Sequence, residues 1–234
     1  MIDPARPRDA HRVPPVTRSA PDPVCSHEQV RSWSVVVPAK RLALAKTRLR
    51  PLPPDLGGPA GHDALVLALL ADTVAAAVAC AAVGEVVVVT DDPDADAVVR
   101  ELGARTVPDA PDRGLNPALE HGARSATGTA VAALSSDLPA LRPQELADAL
   151  AAAGAVPRAF VADAPGTGTT LLTAAGTPLR PLFGAGSAQA HRADGAVPLT
   201  GRWPGLVRDV DTADDLREAL ALGVGPHTAA LAAR

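Results

Sequence analysis

The chain has 234 residues and a net charge of −4, with 22 Lys and Arg against 26 Asp and Glu. That length suffices to bury a substantial core as one domain, and the scattered, nearly balanced charge argues against electrostatic capture of nucleic acid or of an acidic membrane. Tyr is absent and Phe and Trp number two each, too few rings for a base-stacking platform, so the core is expected from Val, Leu and Ala.

Residues 1–31 hold six prolines, several charges and no apolar run. They suit neither a signal peptide nor a segment that folds alone, and a disordered extension is expected there. Cys25 and Cys80 lie in unlike surroundings and form neither a disulfide framework nor a metal-ligand spacing, which fits a reducing cytoplasm. WSVVVP, 33–38, is a short apolar run ended by proline, as in a buried parallel strand. A basic loop follows, then a helix over 63–82. The most membrane-like stretch, LVLALLADTVAAAVACAAV at 65–83, falls in that helix. Its central Asp72 would cost about 2.5–3.5 kcal/mol in a bilayer, so a buried helix of a globular domain is expected.

EVVVVT after Gly84 is a second strand and 94–102 a helix ending at Gly103. ARTVP is strand-like, and the second half of PDRGLNPALEHGARSA is helical. GTAVAALSSDLPAL is a strand running into an acid and a proline, and RPQELADALAAAG is a helix with Pro143 in its first turn. RAFVAD, TTLLTA and GLVRDV read as three further strands, and 212–222 as the last helix, leaving 224–234 as a C-terminal tail. Strands alternating with helices imply a mostly parallel sheet covered on both faces, with ligands beyond the carboxyl ends of its strands. GxGxxG after the first strand and GxxxxGK[ST] are both missing, against a dinucleotide fold or a P-loop.

VVPAKRLALAKTRLRP sets Lys40, Arg41, Lys46, Arg48 and Arg50 after the first strand, with no acid between 40 and 50. This is equally a solvated charged face or a cradle for polyphosphate. LSSDLP puts Asp137 at a strand end, alone no more than an Asp turn before proline. VRDVDTADDL crowds four acids into seven residues. Thr212 as cap explains Asp214 and Asp215, but Asp209 and Asp211 precede the cap and, two apart in an extended segment, share a side. Asp137, Asp209 and Asp211 together are expected to be Mg²⁺ ligands, because a divalent ion bound to substrate phosphates relieves the repulsion of such acids.

PGTGTT, 165–170, is either a turn or a site. FGAGS, 183–187, precedes a helix, so its N–H groups and the Ser187 hydroxyl suit an anion. His191, one turn on, reads equally as a packing residue or a ligand. RGLNPALEHG carries Gly114, Asn116 and Glu120, and VTDDPD carries Asp91 and Asp92. Asx turns and caps explain most of these, with contacts to a nucleotide base or ribose as the other reading.

With PAKRLALAKTRL, VTDD, RGLNPALEHG, SSDLPAL, GTGTTLL, FGAGSAQAHRADGAVPL and PGLVRDVDTADDL in that order, the chain resembles, from about Trp33 to Leu222, the phosphoenolpyruvate or 2-phospho-L-lactate guanylyltransferase family of coenzyme F-420 biosynthesis. The resemblance implies a three-layer α/β/α, nucleotide-diphospho-sugar-transferase-like fold with a mixed, mostly parallel sheet, its catalytic domain spanning 32–223. It implies a cytoplasmic enzyme that condenses GTP with phosphoenolpyruvate and releases pyrophosphate, and a downstream transferase that consumes the labile product. It implies Asp137, Asp209 and Asp211 as Mg²⁺ ligands, and Thr169, Gly184 and Ser187 as contacts of the phosphorylated three-carbon acid. Lys40, Lys46 and Arg48 would meet the GTP phosphates, with Asp91, Asp92, Gly114 and Asn116 as further nucleotide contacts. Ser136 departs from the small Gly or Ala more usual before the metal Asp. Other readings are the same reaction with 2-phospho-L-lactate or 3-phosphoglycerate, a sugar-phosphate or molybdopterin nucleotidyltransferase, and a non-catalytic module that binds a phosphorylated metabolite.

Overall fold

The computed structural model describes Met1, residues 32–39, Leu49, 61–110 and 112–232. Residues 2–31 of the expected extension, and Lys40, Arg41, Lys46, Arg48 and Arg50 of the basic loop, lie outside the described residues.

The first half alternates strand and helix as its apolar runs require: β1 (Trp33–Pro38), α1 (His62–Val78), β2 (Val83–Val89), α2 (Pro93–Glu101), β3 (Arg105–Val107), α3 (Leu115–Ser125), β4 (Ala130–Leu134) and α4 (Pro143–Ala153). The second half is β5 (Arg158–Ala162), β6 (Thr169–Ala175), α5 (Ser187–Ala193), β7 (Val197–Pro198), α6 (Pro204–Val207), α7 (Ala213–Leu222) and α8 (Pro226–Ala232). The sheet has seven strands in the order β3-β2-β1-β4-β6-β5-β7. Pairing is parallel except where β6 meets β4 and β5. Six residues join β5 to β6, too few for the crossover a parallel pair needs, so the two close as an antiparallel hairpin.

Alternate residues of each strand enter opposite cores. Val35, Val37, Val86, Val88, Ala132 and Leu134 pack with Val74 of α1, Val99 of α2 and Leu146 and Leu150 of α4. Val36, Ala133, Phe160 and Leu172 pack on the other face with Leu119 of α3 and Ala188 of α5. Because both faces are covered, the strands read as continuous apolar runs.

Asp72 and Thr73, the polar interruptions of α1, have structural work. Thr73 Oγ1 donates to the Leu69 carbonyl and accepts the Leu138 N–H at 2.8 Å, holding the turn after β4. The buried Asp72 carboxylate accepts the N–H groups of His227 and Thr228 at 3.0 and 2.8 Å and so caps α8. Among the described residues no helix is long and apolar enough to cross a membrane.

Two expectations are corrected. GLVRDV is not a strand: Pro204 opens α6 at a first helical position, where its fixed φ is favourable, and the chain leaves α6 irregularly through Arg208. Four apolar residues cannot distinguish strand from helix by periodicity. The segment expected as a tail from 224 carries α8, which packs on α1. Its only sequence signal was Pro226, and its capping acid lies 154 residues earlier.

Candidate functional site

Among the described residues, the segments singled out above lie at one end of the sheet. β1, β2, β3 and β4 point their carboxyl termini to that end, and the reversed β6 starts there. Thr169 therefore stands opposite Ala162 at the end of β5, while Leu171 pairs with Leu134 at the end of β4. The Ser135 N–H donates to the Thr170 carbonyl at 2.8 Å and extends this pairing to the turn that holds Asp137.

Asp137 is buried at 7 % exposure, as the Thr73-supported turn demands. The Val210 N–H donates to its carbonyl at 3.1 Å, which pins the DVD segment to the β4 turn. Val210 is itself fully buried against Leu216 and Ala219 of α7, so the half-buried Asp209 and exposed Asp211 flank a fixed anchor. The capping box of Thr212 and Asp215 starts α7 directly afterwards, and the Asp215 carboxylate also accepts the Asp211 N–H. Asp215 is thus engaged at the helix start, while Asp137, Asp209 and Asp211 stand on the two segments that the Val210 bond joins. Among the described residues no group of three His, Cys, Asp or Glu side chains is gathered closely enough to hold a metal ion.

The PGTGTT turn is built by an acid outside the motif. Asp163 accepts the N–H groups of Thr167 and Gly168, both at 2.8 Å, one on each carboxylate oxygen. A Cβ on Gly168 would stand 2.4 Å from that carboxylate, so any larger residue there would displace Asp163 from the turn. The Ala164 N–H donates to the Val207 carbonyl, and the Ala188 N–H to the Thr167 carbonyl. The turn therefore bridges α6 and α5.

FGAGS wraps onto α5 through glycines at positive φ, 138° at Gly184 and 72° at Gly186, conformations that favour glycine. Its start is clamped by Asn116, whose Oδ1 accepts the Phe183 N–H at 2.8 Å and whose Nδ2 donates to the Phe183 carbonyl at 3.1 Å. Asn116, expected as a nucleotide contact, uses both ends of its amide to position this turn. Asp92 is likewise the N-cap of α2, accepting the N–H groups of Asp94 and Ala95. Asp91 accepts the Asp109 N–H across the ends of β2 and β3, beside an open cleft bounded by Asp92, Thr106 and Pro108. Gly114 precedes α3 at φ 101°. Glu120 is exposed and near Arg124.

Thr169 and Ser187 come together: Ser187 Oγ lies 3.1 Å from Thr169 Oγ1, and both residues are nearly buried, at 2 % and 7 % exposure for Ser187 and Thr169. His191, left open by the sequence between packing and ligation, has no exposure and sits 2.9 Å from Thr169 Oγ1 through Nδ1. Phe183 meets its ring edge-on at 5.2 Å. Burial, and secondarily the charge of Arg158, pushes the His191 pKa down from 6.5 to about 4, with Asp194 opposing. Arg158 is itself buried and donates to the Asp194 carboxylate at 2.6 Å and to the carbonyls of Leu179 and Arg180. Neither Asp163 nor Arg158 stood out in the sequence. Only the APGTG run after Asp163 hinted at an Asx-type turn.

A family model described as a MobA-like NTP transferase domain matches residues 67–200. A relative from Geodermatophilus obscurus named phosphoenolpyruvate guanylyltransferase is 76 % identical over 203 residues, covering 86 % of this chain and 94 % of its own. One of the same name from Streptomyces coelicolor is 57 % identical over 208 residues, 86 % of this chain and 96 % of its own. Among solved structures, a nucleotidyl transferase from Methanothermobacter superposes with a TM-score of 0.56 at 21 % identity, over 82 % of this chain and 97 % of that one. A 4-diphosphocytidyl-2C-methyl-D-erythritol synthase from Anaerococcus prevotii gives 0.54 at 10 % identity, over 82 % and 96 %. These two share the nucleotidyltransferase-like fold.

Proposed function

Since the chain belongs to the phosphoenolpyruvate guanylyltransferase family, we propose that it transfers the guanylyl group of GTP to phosphoenolpyruvate, forming enolpyruvoyl-2-diphospho-5'-guanosine and pyrophosphate in coenzyme F-420 biosynthesis. A phosphate oxygen of the acid attacks the α-phosphorus of GTP in line, the new P–O–P bond forms, and the bond to the β-phosphate oxygen breaks. The enzyme has to bring two anions together and stabilise a departing third, which calls for positioning and charge rather than a covalent nucleophile.

The observation that carries this reading is the reversal of β6. It brings Thr169 and Ser187, a hydroxyl pair beside the FGAGS turn, to the end of the sheet that also bears Asp137. Thr169, Ser187 and the backbone at Gly184 are assigned to the anionic groups of the acid. Asp137, Asp209 and Asp211 are assigned to Mg²⁺. These are hard oxygen donors, the type that ion takes, and the Val210 bond to Asp137 joins them. Mg²⁺ is commonly held by one or two carboxylates together with substrate phosphates, so a preformed three-acid cage is not required. When bound, the ion supplies positive charge to the reacting phosphates. Lys40, Lys46 and Arg48 are assigned to the same task from the basic loop.

The test is pyrophosphate release from GTP with phosphoenolpyruvate, 2-phospho-L-lactate or 3-phosphoglycerate, with the product mass measured and ATP, CTP and UTP as controls. Release with GTP and phosphoenolpyruvate, and the mass of the mixed anhydride, are expected. Release with no acid, or only with a sugar phosphate, would refute the reading. Ser187→Ala should raise KM for the acid roughly ten- to a hundred-fold, the worth of one hydrogen bond to a charged group, and leave KM for GTP nearly unchanged. Equal shifts for both substrates would remove Ser187 from the acid side.

A further inference from the structure

The proton inventory around Thr169 has one proton in excess. His191 Nε2 accepts the Leu182 N–H at 2.9 Å, so the neutral imidazole carries its hydrogen on Nδ1. Nδ1 therefore donates to Thr169 Oγ1 at 2.9 Å. The contact between Thr169 Oγ1 and Ser187 Oγ, 3.1 Å, consumes one of the two hydroxyl protons. Both imidazole nitrogens are engaged and neither can accept the second. The described residues offer that proton no other bonded acceptor. In the opposite tautomer Nδ1 would accept from Thr169, Thr169 would accept from Ser187, and the pair would have no proton to give.

We propose that His191 is a positioning residue for the phosphorylated acid: held in its Nδ1–H form by the Leu182 N–H, it fills an acceptor position on Thr169 and leaves one hydroxyl proton of the Thr169–Ser187 pair to donate to the acid's anionic oxygens. The proposal rests on the assignment of that pair to the acid. Three features keep the ring in place. Phe183 and Phe160 pack against it at 5.2 and 6.0 Å. The Leu182 bond fixes its far nitrogen. The buried guanidinium of Arg158, tied to Asp194, sits close enough to oppose a second positive charge. The arrangement couples the residue that enters the FGAGS turn to Thr169 on the sheet, since one imidazole bonds to Leu182 and to Thr169.

Two isosteric replacements separate donation to Thr169 from mere support of the turn. The amide nitrogen of Asn can occupy the place of Nδ1 and donate to Thr169, whereas the amide of Gln reaches the place of Nε2 and leaves Nδ1 unreplaced. With pyrophosphate release as assay, His191→Gln is expected to raise KM for phosphoenolpyruvate about ten-fold or more. KM for GTP should stay within about two-fold, and His191→Asn should recover most of the loss. Gln performing as well as Asn, or both variants shifting GTP and acid equally, would overturn the proposal. A measurement on the unaltered protein does not depend on either variant folding: ¹⁵N NMR of the ring nitrogens, assigned through the contacts of this ring with Phe160 and Phe183, should show Nδ1 protonated and Nε2 bare. The reverse pattern would overturn the proposal. A parent chain without phosphoenolpyruvate-dependent release would overturn the acid assignment and this proposal with it. An active parent whose Ser187→Ala variant shows the acid-specific defect while His191→Gln does not would overturn only the role of His191.

Discussion

Acid should weaken this protein through His191 at a higher pH than it does through Glu85. The ring is fully buried, bonded at both nitrogens, and close to the Arg158 guanidinium. Burial chiefly, then that guanidinium, holds its pKa at about 4, whereas in the unfolded chain it titrates near 6.5. Above pH 6.5 both states leave it neutral and its full contribution to stability is present. Between 6.5 and 4 the unfolded chain takes up a proton that the folded chain refuses, so stability falls as pH falls. At about 1.4 kcal/mol per pH unit, that window is worth about 3 kcal/mol by its lower end, a large share of the roughly 5–15 kcal/mol that holds a domain together. Glu85, held to about 2 by bonds from Thr127, Ser34 and Arg105 that outweigh its burial, acts in a separate window. Its contribution is complete above 4.5 and is lost only below that value. The difference between the parent and His191→Gln in urea unfolding at steps from pH 7.5 to 5 therefore reports this histidine. The parent should lose stability steeply below pH 6.5, and His191→Gln, less stable at neutral pH, should be flatter over the same range. Parallel curves for parent and variant would show that His191 titrates normally in the folded protein and would refute the reasoning.

Asp209→Asn and Asp211→Asn should each cut turnover by orders of magnitude with the fold retained, because the amide keeps the shape and loses the charge that a divalent cation needs; near-parental turnover at low Mg²⁺ would remove the residue from the metal site. Gly205→Ala would place a Cβ 2.1 Å from the Ala140 carbonyl oxygen, so α6 must move away from the β4 turn. A loss of about 1–3 kcal/mol is expected from such overpacking, read as a lower Tm, together with reduced turnover from displacement of the DVD segment; an unchanged Tm would contradict the close approach. Asp72→Ala removes the carboxylate cap of α8 and should cost about 1–2 kcal/mol, with amide exchange accelerated in 229–231 and little changed in β1; uniform exchange would show that α8 does not depend on this cap.

The sequence alone determined the alternation of strand and helix and the positions of the segments that matter. Val runs such as EVVVVT are long enough to be buried and too short to be helices, and glycines and prolines punctuate them, so the information is local. It also specified the residue types of the site, because SSDLP, GTGTT, FGAGS and DVD each carry their chemistry within a few positions. Tertiary structure decided what several of those residues bond to within the chain. Asn116 and Asp92 have the right chemistry for a nucleotide, and in the folded chain the first also bonds a backbone 67 residues away and the second also caps α2. It decided that GLV is a helical turn, since Gly205 must lie against the Ala140 backbone, and that a C-terminal helix forms on an acid supplied by α1. It also decided the state of His191. A tautomer depends on which groups face the two nitrogens, here the Leu182 N–H on one side and Thr169 on the other, from a loop and a strand that meet only when the chain is folded.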